Sequence, residues 1–433
     1  MRFRFVHAAD LHLDTPFEGL AARDARIARL LQDASLEAFD QVVDLALARQ
    51  AAFVLLAGDI YDGADRDVRA QLRLLAGLRR LEQAGIETFI VHGNHDPVGG
   101  WSAIRDWPDG VHVFGAESVA SHVVRRDGRD LARVYGISYA RPDVSDNLAL
   151  RFARQEGPGL HVGLLHCNLG SVADHAAYAP CSLDDLRRAG MDYWALGHIH
   201  KHCIPQPAQP CVVYPGNTQG RSPKPSECGP KGAVVVEADE SGVRRVEFAP
   251  VDRTRFVPLT VDISAAADVG QLRQLLLDAA ASAAADNAGR ALLLRGVLVG
   301  SGELHADLAR SEVVRSLLMA LQDEQGEDDP PRYWEGLRDQ TQPELNLDAI
   351  RGRGDLLDEV LRLSDELSGD PERLRAFLAE HLGAMERLPG PLRQSAPPAG
   401  AAPPGELELL GDGELLERAR LLALERLAQG GRA

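Results

Sequence analysis

Five short polar blocks, each placed directly after an apolar run, constrain the fold of this chain more than any other feature. They are Asp10-Leu11-His12, Gly58-Asp59, Gly93-Asn94-His95-Asp96, His166-Cys167-Asn168 and Gly197-His198-Ile199-His200. Functional side chains commonly lie on loops that a rigid scaffold of strands positions. The pattern therefore predicts a layered α/β domain in which loops from five strand ends meet at one site.

The residue types in these blocks predict the chemistry of that site. Carboxylate, imidazole and amide groups form a mixed nitrogen and oxygen donor set, which suits Mn²⁺, Fe²⁺ or Zn²⁺ better than Mg²⁺ or Ca²⁺. Asp59, between a strand and a loop, is the natural carboxylate to bridge two ions. Asp10 and His12 alternate, so we expect both side chains to leave an extended segment on the same side. Two ions in one site indicate displacement at phosphorus.

Each block taken alone has an ordinary structural explanation. A Gly-Asp pair is usually a turn, and Gly-Asn-His-Asp can be a loop held by side-chain to backbone hydrogen bonds. A lone His-x-His pair is more often a coincidence than a pair of ligands. The five blocks together, in this order and after strand-like runs, favour a metal site.

The blocks resemble those of the calcineurin-like metallophosphoesterases and, within them, the YhaO/SbcD family of bacterial DNA-repair exonucleases, relatives of the Mre nuclease. The resemblance rests on residues 7–17, 56–62 and 193–200, and it continues through residues 214–221. It is specific over residues 1–250, looser over 251–350 and thin beyond.

The resemblance implies a role for each matching residue. The first metal ion would be held by Asp10, His12, Asp59 and His200. The second would be held by Asp59, Asn94, His166 and His198. His95 would be the catalytic histidine at the leaving oxygen, and Asp96 would orient it.

The function implied by the resemblance is metal-dependent hydrolysis of DNA, as a 3′→5′ exonuclease with single-strand endonuclease activity in DNA repair. The implied cofactors are two divalent ions, with Mn²⁺ expected. The implied partners are DNA and an SbcC-type coiled-coil ATPase, and a homodimer stays open. Two alternatives also stay open: a small-molecule phosphodiesterase or nucleotidase, and a non-catalytic adaptor that regulates an SbcC-type ATPase.

Composition is compatible with this function. The net charge of −17 is unusual for a protein that binds DNA, although bound divalent cations would offset part of it. The three lysines, Lys201, Lys224 and Lys231, follow the last block together with Arg221, and they either contact phosphates or lie there by chance. No apolar run reaches the length of a membrane span, and five cysteines without a CxxC pair indicate reduced thiols, so we expect a cytoplasmic protein.

The expected fold is a two-sheet metallophosphoesterase sandwich flanked by helices, a small α+β capping domain and a helical C-terminal tail. The expected boundaries are 1–252 for the nuclease domain, 253–350 for the cap, 351–388 for a helical extension, 389–405 for a Pro/Gly-rich linker and 406–433 for a last helix. The apolar stripe Leu356, Val360, Leu363 and Leu367 predicts an amphipathic helix. We expect these C-terminal helices to dock on the ATPase, and packing on the chain's own cap is the alternative.

Overall fold

The computed structural model describes residues 2–13, 15, 25–63, 66–170, 178–324, 330–345, 347–385 and 412–430. Asp14, Pro16 and Phe17 of the resemblance and the predicted linker at 389–405 lie outside these residues. The chain forms two compact units, of which the first contains residues 1–257, 287–293 and 327–333, and the second contains 258–286, 294–326 and 334–433. The predicted domain boundaries stay a prediction.

Two six-stranded sheets form the scaffold of the first unit. The first sheet has the order β12-β11-β1-β2-β3-β4. Its strands are β1 (Phe3–Ala8), β2 (Phe53–Ala57), β3 (Glu87–Val91), β4 (Val111–Val113), β11 (Gly232–Asp239) and β12 (Gly242–Pro250). The second sheet has the order β5-β6-β7-β8-β10-β9. Its strands are β5 (Ala120–Arg126), β6 (Arg129–Gly136), β7 (Leu160–His166), β8 (Tyr193–Gly197), β9 (Cys203–Gln206) and β10 (Cys211–Tyr214).

The two sheets pack face to face through a shared core. Side chains from the first sheet, such as Phe5, Phe53 and Phe89, lie in one buried cluster with Leu164 and Tyr193 of the second. Strands β1, β2 and β3 run parallel, as do β6, β7 and β8. Their carboxyl ends therefore meet along one rim of the sandwich, and the polar blocks follow these ends.

Helices cover the outer face of the first sheet. Helix α1 (Ala25–Ala48) and helix α2 (Val68–Gln83) bury apolar side chains against β1, β2 and β3. Asp67 caps α2 by accepting a hydrogen bond from the amide of Ala70. On the second sheet a short helix α3 (Leu183–Arg188) begins with a Ser182 capping box.

A third sheet of three strands and several helices complete the fold. The strands are β13 (Thr254–Asp262), β14 (Ala291–Val299) and β15 (Arg332–Asp339), in the order β13-β14-β15. The helices before the tail are α4 (Val269–Asp286), α5 (His305–Leu308), α6 (Ser311–Asp323) and α7 (Leu347–Ile350). The predicted architecture is confirmed: a two-sheet sandwich is followed by a small α+β segment and then by C-terminal helices.

The C-terminal helices pack on one another within the second unit. They are α8 (Leu356–Ser368), α9 (Pro371–Met385) and α10 (Asp412–Gly430). Leu361 of α8 lies in a buried cluster with Leu424 of α10, and Leu367 of α8 lies in another with Leu416. The predicted stripe is partly wrong, because Leu356 is 62% exposed and Leu363 is also exposed. The other two members of the stripe, Val360 and Leu367, lie with Leu361 on the face that α10 covers.

The described residues contain no helix long and apolar enough to cross a membrane. All five cysteines carry free thiols. The sulfur atoms of Cys167 and Cys181 lie 3.7 Å apart, which is a hydrogen-bond distance and not a disulfide, and both residues are buried. The hydrogen bond between these thiols, together with burial, raises the pKa of Cys167, so its sulfur stays protonated and chemically inert.

Candidate metal centre

The described structure brings the predicted ligands from five strand ends to one place. Three groups of side chains have ligand atoms close enough to share an ion: Asp10, His12 and His200; Asp10, Asp59 and His166; and His12, Asp62 and His95. The groups overlap, so they form one continuous cluster on the rim described above. Most of its members are buried, whereas the side chain of His95 is 39% exposed.

The backbone at this rim is not extended, contrary to our expectation for Asp10 and His12. Strand β1 ends at Ala8, and Asp10 and His12 have φ angles of 52° and 43°, in the left-handed region. Asp59 and His198 also have positive φ values, of 48° and 104°. Such conformations cost of order 1–3 kcal/mol each and persist where tertiary contacts impose them. Here backbone hydrogen bonds impose them, since Asp10 and His12 donate to the carbonyls of Gly58 and Asp59.

The glycines of the blocks make room for the ring of His166. Gly58 has a φ of +90°, and a Cβ atom there would lie 2.5 Å from His166 Nδ1. A Cβ at Gly197 would overlap the carbonyl oxygen of Ala57 and would lie 2.9 Å from the same nitrogen. The close approach of β2 to β8 around His166 therefore requires residues without side chains.

Three hydrogen-bond acceptors face one another beside His166, and none of them carries a hydrogen. Its Nδ1 lies 3.0 Å from the carbonyl oxygen of Ala57, so Nδ1 carries the hydrogen and Nε2 carries the lone pair. That Nε2 faces Asn94 Oδ1 at 3.0 Å and Asp59 Oδ2 at 3.4 Å. Three acceptors that face one another repel, and a divalent cation between them would remove the repulsion. The donor set fits the predicted ion.

The pair His12 and His200 shows the same arrangement. His200 Nδ1 lies 2.6 Å from Glu227 Oε1, so this nitrogen carries a hydrogen and Nε2 is directed at the cluster. The two Nε2 atoms of His200 and His12 lie 3.3 Å apart. Burial together with the charges of Arg221 and His200 holds the pKa of His12 well below its usual range, which favours its neutral, metal-binding form.

The geometry of Asp59 agrees with a bridging role. Its Oδ1 accepts a hydrogen bond of 3.0 Å from the amide of His95. Its Oδ2 lies 3.4 Å from His166 Nε2 and 3.9 Å from His12 Nε2, which belong to different predicted ligand sets. One oxygen thus lies between both sets, although the assignment of ligands to ions stays a prediction.

Asp10 and His198 close the cluster on the side of β8. The backbone amide of His198 donates to Asp10 Oδ1 at 2.9 Å, which joins the first and last blocks. The His198 ring lies edge-on to His166 with 5.2 Å between ring centroids, and edge-on to Tyr178 at 5.6 Å. Burial raises the pKa of Asp10, because a carboxylate that is removed from water is harder to ionise.

The structure places Asp96 beside His92 and not beside the ring of His95, so an orienting role for Asp96 stays a prediction. Asp96 is fully buried and binds His92 Nδ1 at 2.9 Å and the amides of Ile60 and Gly93. Burial opposes its ionisation, yet the charge of His92 and these hydrogen bonds lower the pKa of Asp96. The block makes a tight turn after β3, so the side chains of neighbours His95 and Asp96 leave it in different directions.

Asp62 is the acidic residue beside His95. His95 Nδ1 lies 3.1 Å from the carbonyl oxygen of Asp62 and 3.3 Å from its carboxylate. The same carboxylate lies 2.9 Å from His12 Nδ1 and 2.7 Å from Arg221 Nη2. Asp62 therefore fixes the hydrogen of His95 on Nδ1 and leaves Nε2 for a substrate.

Sequence reasoning missed Asp62 and Glu227 as parts of the centre. Asp62 stands three residues after Asp59, a spacing that places it on the same loop but indicates no role. Glu227 lies 27 residues after His200, in a short 3₁₀ helix at Pro225–Glu227 that no motif predicts. Arg221 reaches the centre through Asp62, whereas Lys231 is buried and donates to the carbonyl of His200.

Comparison with known proteins agrees with this geometry. The family model for calcineurin-like phosphoesterases matches residues 3–202, which include every predicted ligand and His95. The model for the middle domain of metallophosphoesterase YhaO matches residues 256–342. The uncharacterized metallophosphoesterase YhaO of Bacillus subtilis (strain 168) is 34% identical over 369 residues, which cover 84% of this chain and 89% of the relative. The chain belongs to the calcineurin-like metallophosphoesterase family.

Two further relatives of this metallophosphoesterase are named as a DNA repair protein and as part of a nuclease. The DNA double-strand break repair protein Mre11 of Sulfurisphaera tokodaii is 26% identical over 199 residues, 46% of this chain and 49% of that protein. A component of the nuclease SbcCD from Rhodobacter capsulatus is 30% identical over 176 residues, 39% of this chain and 40% of that protein. These two alignments thus span half or less of each relative.

Proposed function

We propose that this metallophosphoesterase hydrolyses phosphodiester bonds in DNA, as a 3′→5′ exonuclease with single-strand endonuclease activity in DNA repair. One observation carries the proposal: five of the predicted ligands have ligand atoms close enough to share ions, next to an accessible histidine, His95, and they are Asp10, His12, Asp59, His166 and His200. The names of the relatives support DNA as the substrate. The 3′→5′ direction rests on the family resemblance alone.

The residues of the chain would divide the work in the following way. Asp10, His12, Asp59 and His200 would hold one divalent ion, and Asp59, Asn94, His166 and His198 the other. Bound ions would supply Lewis-acid activation of the phosphate and of the attacking water. We propose Mn²⁺ for both positions, because the donor set mixes imidazole nitrogen with carboxylate and amide oxygen.

His95 would act at the leaving oxygen through Nε2. Its Nδ1 lies 3.1 Å from the carbonyl oxygen of Asp62 and 3.3 Å from its carboxylate, which leaves Nε2 for the substrate. A protonated Nε2 can give its hydrogen to the departing 3′ oxygen, a step that typically contributes about 10²–10⁴-fold to the rate. Arg221 holds Asp62 with contacts of 2.7 and 2.9 Å from Nη2 and thereby keeps this carboxylate in place.

The test is a nuclease assay with Mn²⁺, with Mg²⁺ and with chelator, on single- and double-stranded oligonucleotides labelled at either end. We expect Mn²⁺-dependent loss of nucleotides from the 3′ end, and no activity in an Asp59→Ala control. Rapid hydrolysis of a mononucleotide or a small phosphodiester without cleavage of DNA would favour the small-molecule enzyme. No hydrolysis of any phosphoester by the metal-loaded protein would favour the non-catalytic adaptor.

We also propose the SbcC-type ATPase as the partner of the C-terminal helices. Although α8 and α10 bury much of their apolar surface on each other, Leu356, Leu363 and Leu422 stay exposed on these helices. Substitution of all three by Ser should leave nuclease activity on short oligonucleotides intact and should abolish association with the purified ATPase. Retained association would exclude these side chains as the contact. A homodimer stays a prediction that sedimentation can check.

A further inference from the structure

Glu227 is a buried carboxylate without a role in the family resemblance, and it lies directly behind a predicted metal ligand. Only 9% of its side chain is exposed. Its Oε1 lies 2.6 Å from Nδ1 of His200, on the side of the ring that faces away from the cluster. Because an ionised carboxylate can only accept hydrogen bonds, the hydrogen of the His200 ring must be on Nδ1.

The other oxygen of Glu227 is fixed by contacts that do not involve the metal centre. Oε2 accepts hydrogen bonds from Asn217 Nδ2 at 2.7 Å and from the backbone amide of Arg221 at 3.2 Å. The residue therefore cannot rotate away from His200 without losing two further hydrogen bonds in a buried place. Its position is determined by the loop between β10 and β11 and not by the histidine.

A buried cation lies near Glu227. Lys231 donates to the carbonyl oxygens of His200 and Ser226, so its ammonium group lies next to the Glu227 loop. The ammonium group thus supplies a positive charge near the Glu227 carboxylate, which already accepts hydrogen bonds from His200, Asn217 and Arg221.

We propose that Glu227 is the positioning residue of the first metal site, because it fixes the tautomer and orientation of His200. The His200 Nε2 lone pair is then directed at His12 Nε2, 3.3 Å away, and at Asp10 before any ion binds. Carboxylate partners of metal-binding histidines orient the ring and raise its basicity, and their loss typically lowers metal affinity about 10–100-fold. The inference rests on the proposed function only in requiring that the centre bind a divalent cation.

The experiment compares Mn²⁺ binding to the metal-free full-length protein and two variants by isothermal titration calorimetry. Glu227→Gln keeps the size and the contact with Asn217 but removes the charge. Glu87→Gln is the matched control, because Glu87 Oε2 also contacts a histidine, His112 Nε2 at 2.9 Å, outside the centre. We expect Glu227→Gln to lower the affinity for one of the two ions about 10–100-fold, and Glu87→Gln to leave both affinities unchanged.

A second readout tests the tautomer without any metal. In ¹⁵N spectra of the metal-free protein, His200 should show a single Nδ1–H tautomer in the wild type and a mixture in Glu227→Gln. If Glu227→Gln does not fold, Glu227→Asp, whose shorter side chain withdraws the carboxylate from Nδ1, should show the same two effects.

The outcomes separate this inference from the proposed function. Wild-type Mn²⁺ affinity and an unchanged His200 tautomer in Glu227→Gln would overturn the role of Glu227 while leaving the nuclease proposal intact. Weakened binding of one ion in a protein that does not cut DNA would support the role of Glu227 and refute the nuclease. A wild-type protein that binds no divalent cation would overturn both.

Discussion

Two substitutions distinguish the acidic neighbour that His95 has in sequence from the one that it has in space. Asp96 follows His95 directly, whereas Asp62 lies beside its ring in the structure. We expect Asp96→Asn to act mainly on stability and Asp62→Asn mainly on catalysis. The two changes are equally conservative in size, so they form a matched pair.

The magnitude for Asp96→Asn follows from its surroundings. Asp96 is fully buried, and both oxygens accept hydrogen bonds, from the amides of Ile60 and Gly93 and from His92. An asparagine amide turns one acceptor into a donor, which then faces an existing N–H. Leaving a buried donor without a partner costs about 1–3 kcal/mol, so we expect a loss of about 1–3 kcal/mol in the free energy of unfolding.

Asp62→Asn should leave the fold closer to the wild type. The Asp62 side chain is 12% exposed, and Arg221 beside it is 21% exposed, so water can replace part of the lost interaction. Because the carboxylate that holds His95 Nδ1 is lost, the ring is less well oriented towards the leaving oxygen, and the rate should fall by at least about 10-fold.

Urea unfolding of the metal-free proteins and cleavage of a single-stranded oligonucleotide with Mn²⁺ measure the two effects separately. The assay temperature must be low enough for Asp96→Asn to stay folded. If Asp96→Asn has the same unfolding midpoint in urea as the wild type yet cleaves as slowly as a His95 variant, then Asp96 acts on His95 and its assignment to stability is wrong. If Asp62→Asn cleaves at the wild-type rate, Asp62 has no part in catalysis.

Four further predictions test other residues. His95→Ala should keep both ions by elemental analysis and lose about 10²–10⁴-fold in rate, whereas loss of the ions would make His95 a ligand. Asp59→Ala should hold less Mn²⁺ than Asn94→Ala, because a bridging ligand serves two ions; equal metal content would contradict the bridge. The pKa of Glu227 is lowered from 4.5 to about 2. Its ionised form therefore stabilises the fold by about 3 kcal/mol above pH 4.5, and this stabilisation is lost as the pH falls towards 2. Urea unfolding of the metal-free protein at several pH values should show the loss, and the free energy of unfolding of Glu227→Gln should lack this pH dependence. Trp101, which is 54% exposed on the loop after His95, should stack on a DNA base at about 1–3 kcal/mol, so that Trp101→Ala raises KM for single-stranded DNA but not for a small phosphodiester; equal effects on both substrates would exclude stacking.

The amino-acid sequence by itself determined most strands of the sandwich and the polar residues that follow them, although it did not indicate β5 and β9. The apolar run Phe53–Ala57 coincides with β2, because a strand buried on both faces needs a short, continuous apolar segment. The polar blocks at the ends of such strands are fixed by local order along the chain. The pattern is therefore visible without coordinates.

Only the tertiary structure decided how these residues are held and which neighbours they have. Asp10 and His12 adopt left-handed φ angles because β2 and the loop after it supply the carbonyls that their amides need. The choice of Asp62 over Asp96 as the neighbour of His95 depends on the turn after β3 and on the loop after β2. Glu227 reaches His200 from a 3₁₀ helix in the loop that follows β10. Each of these contacts joins segments that are remote in sequence, and local periodicity holds no information about such pairs.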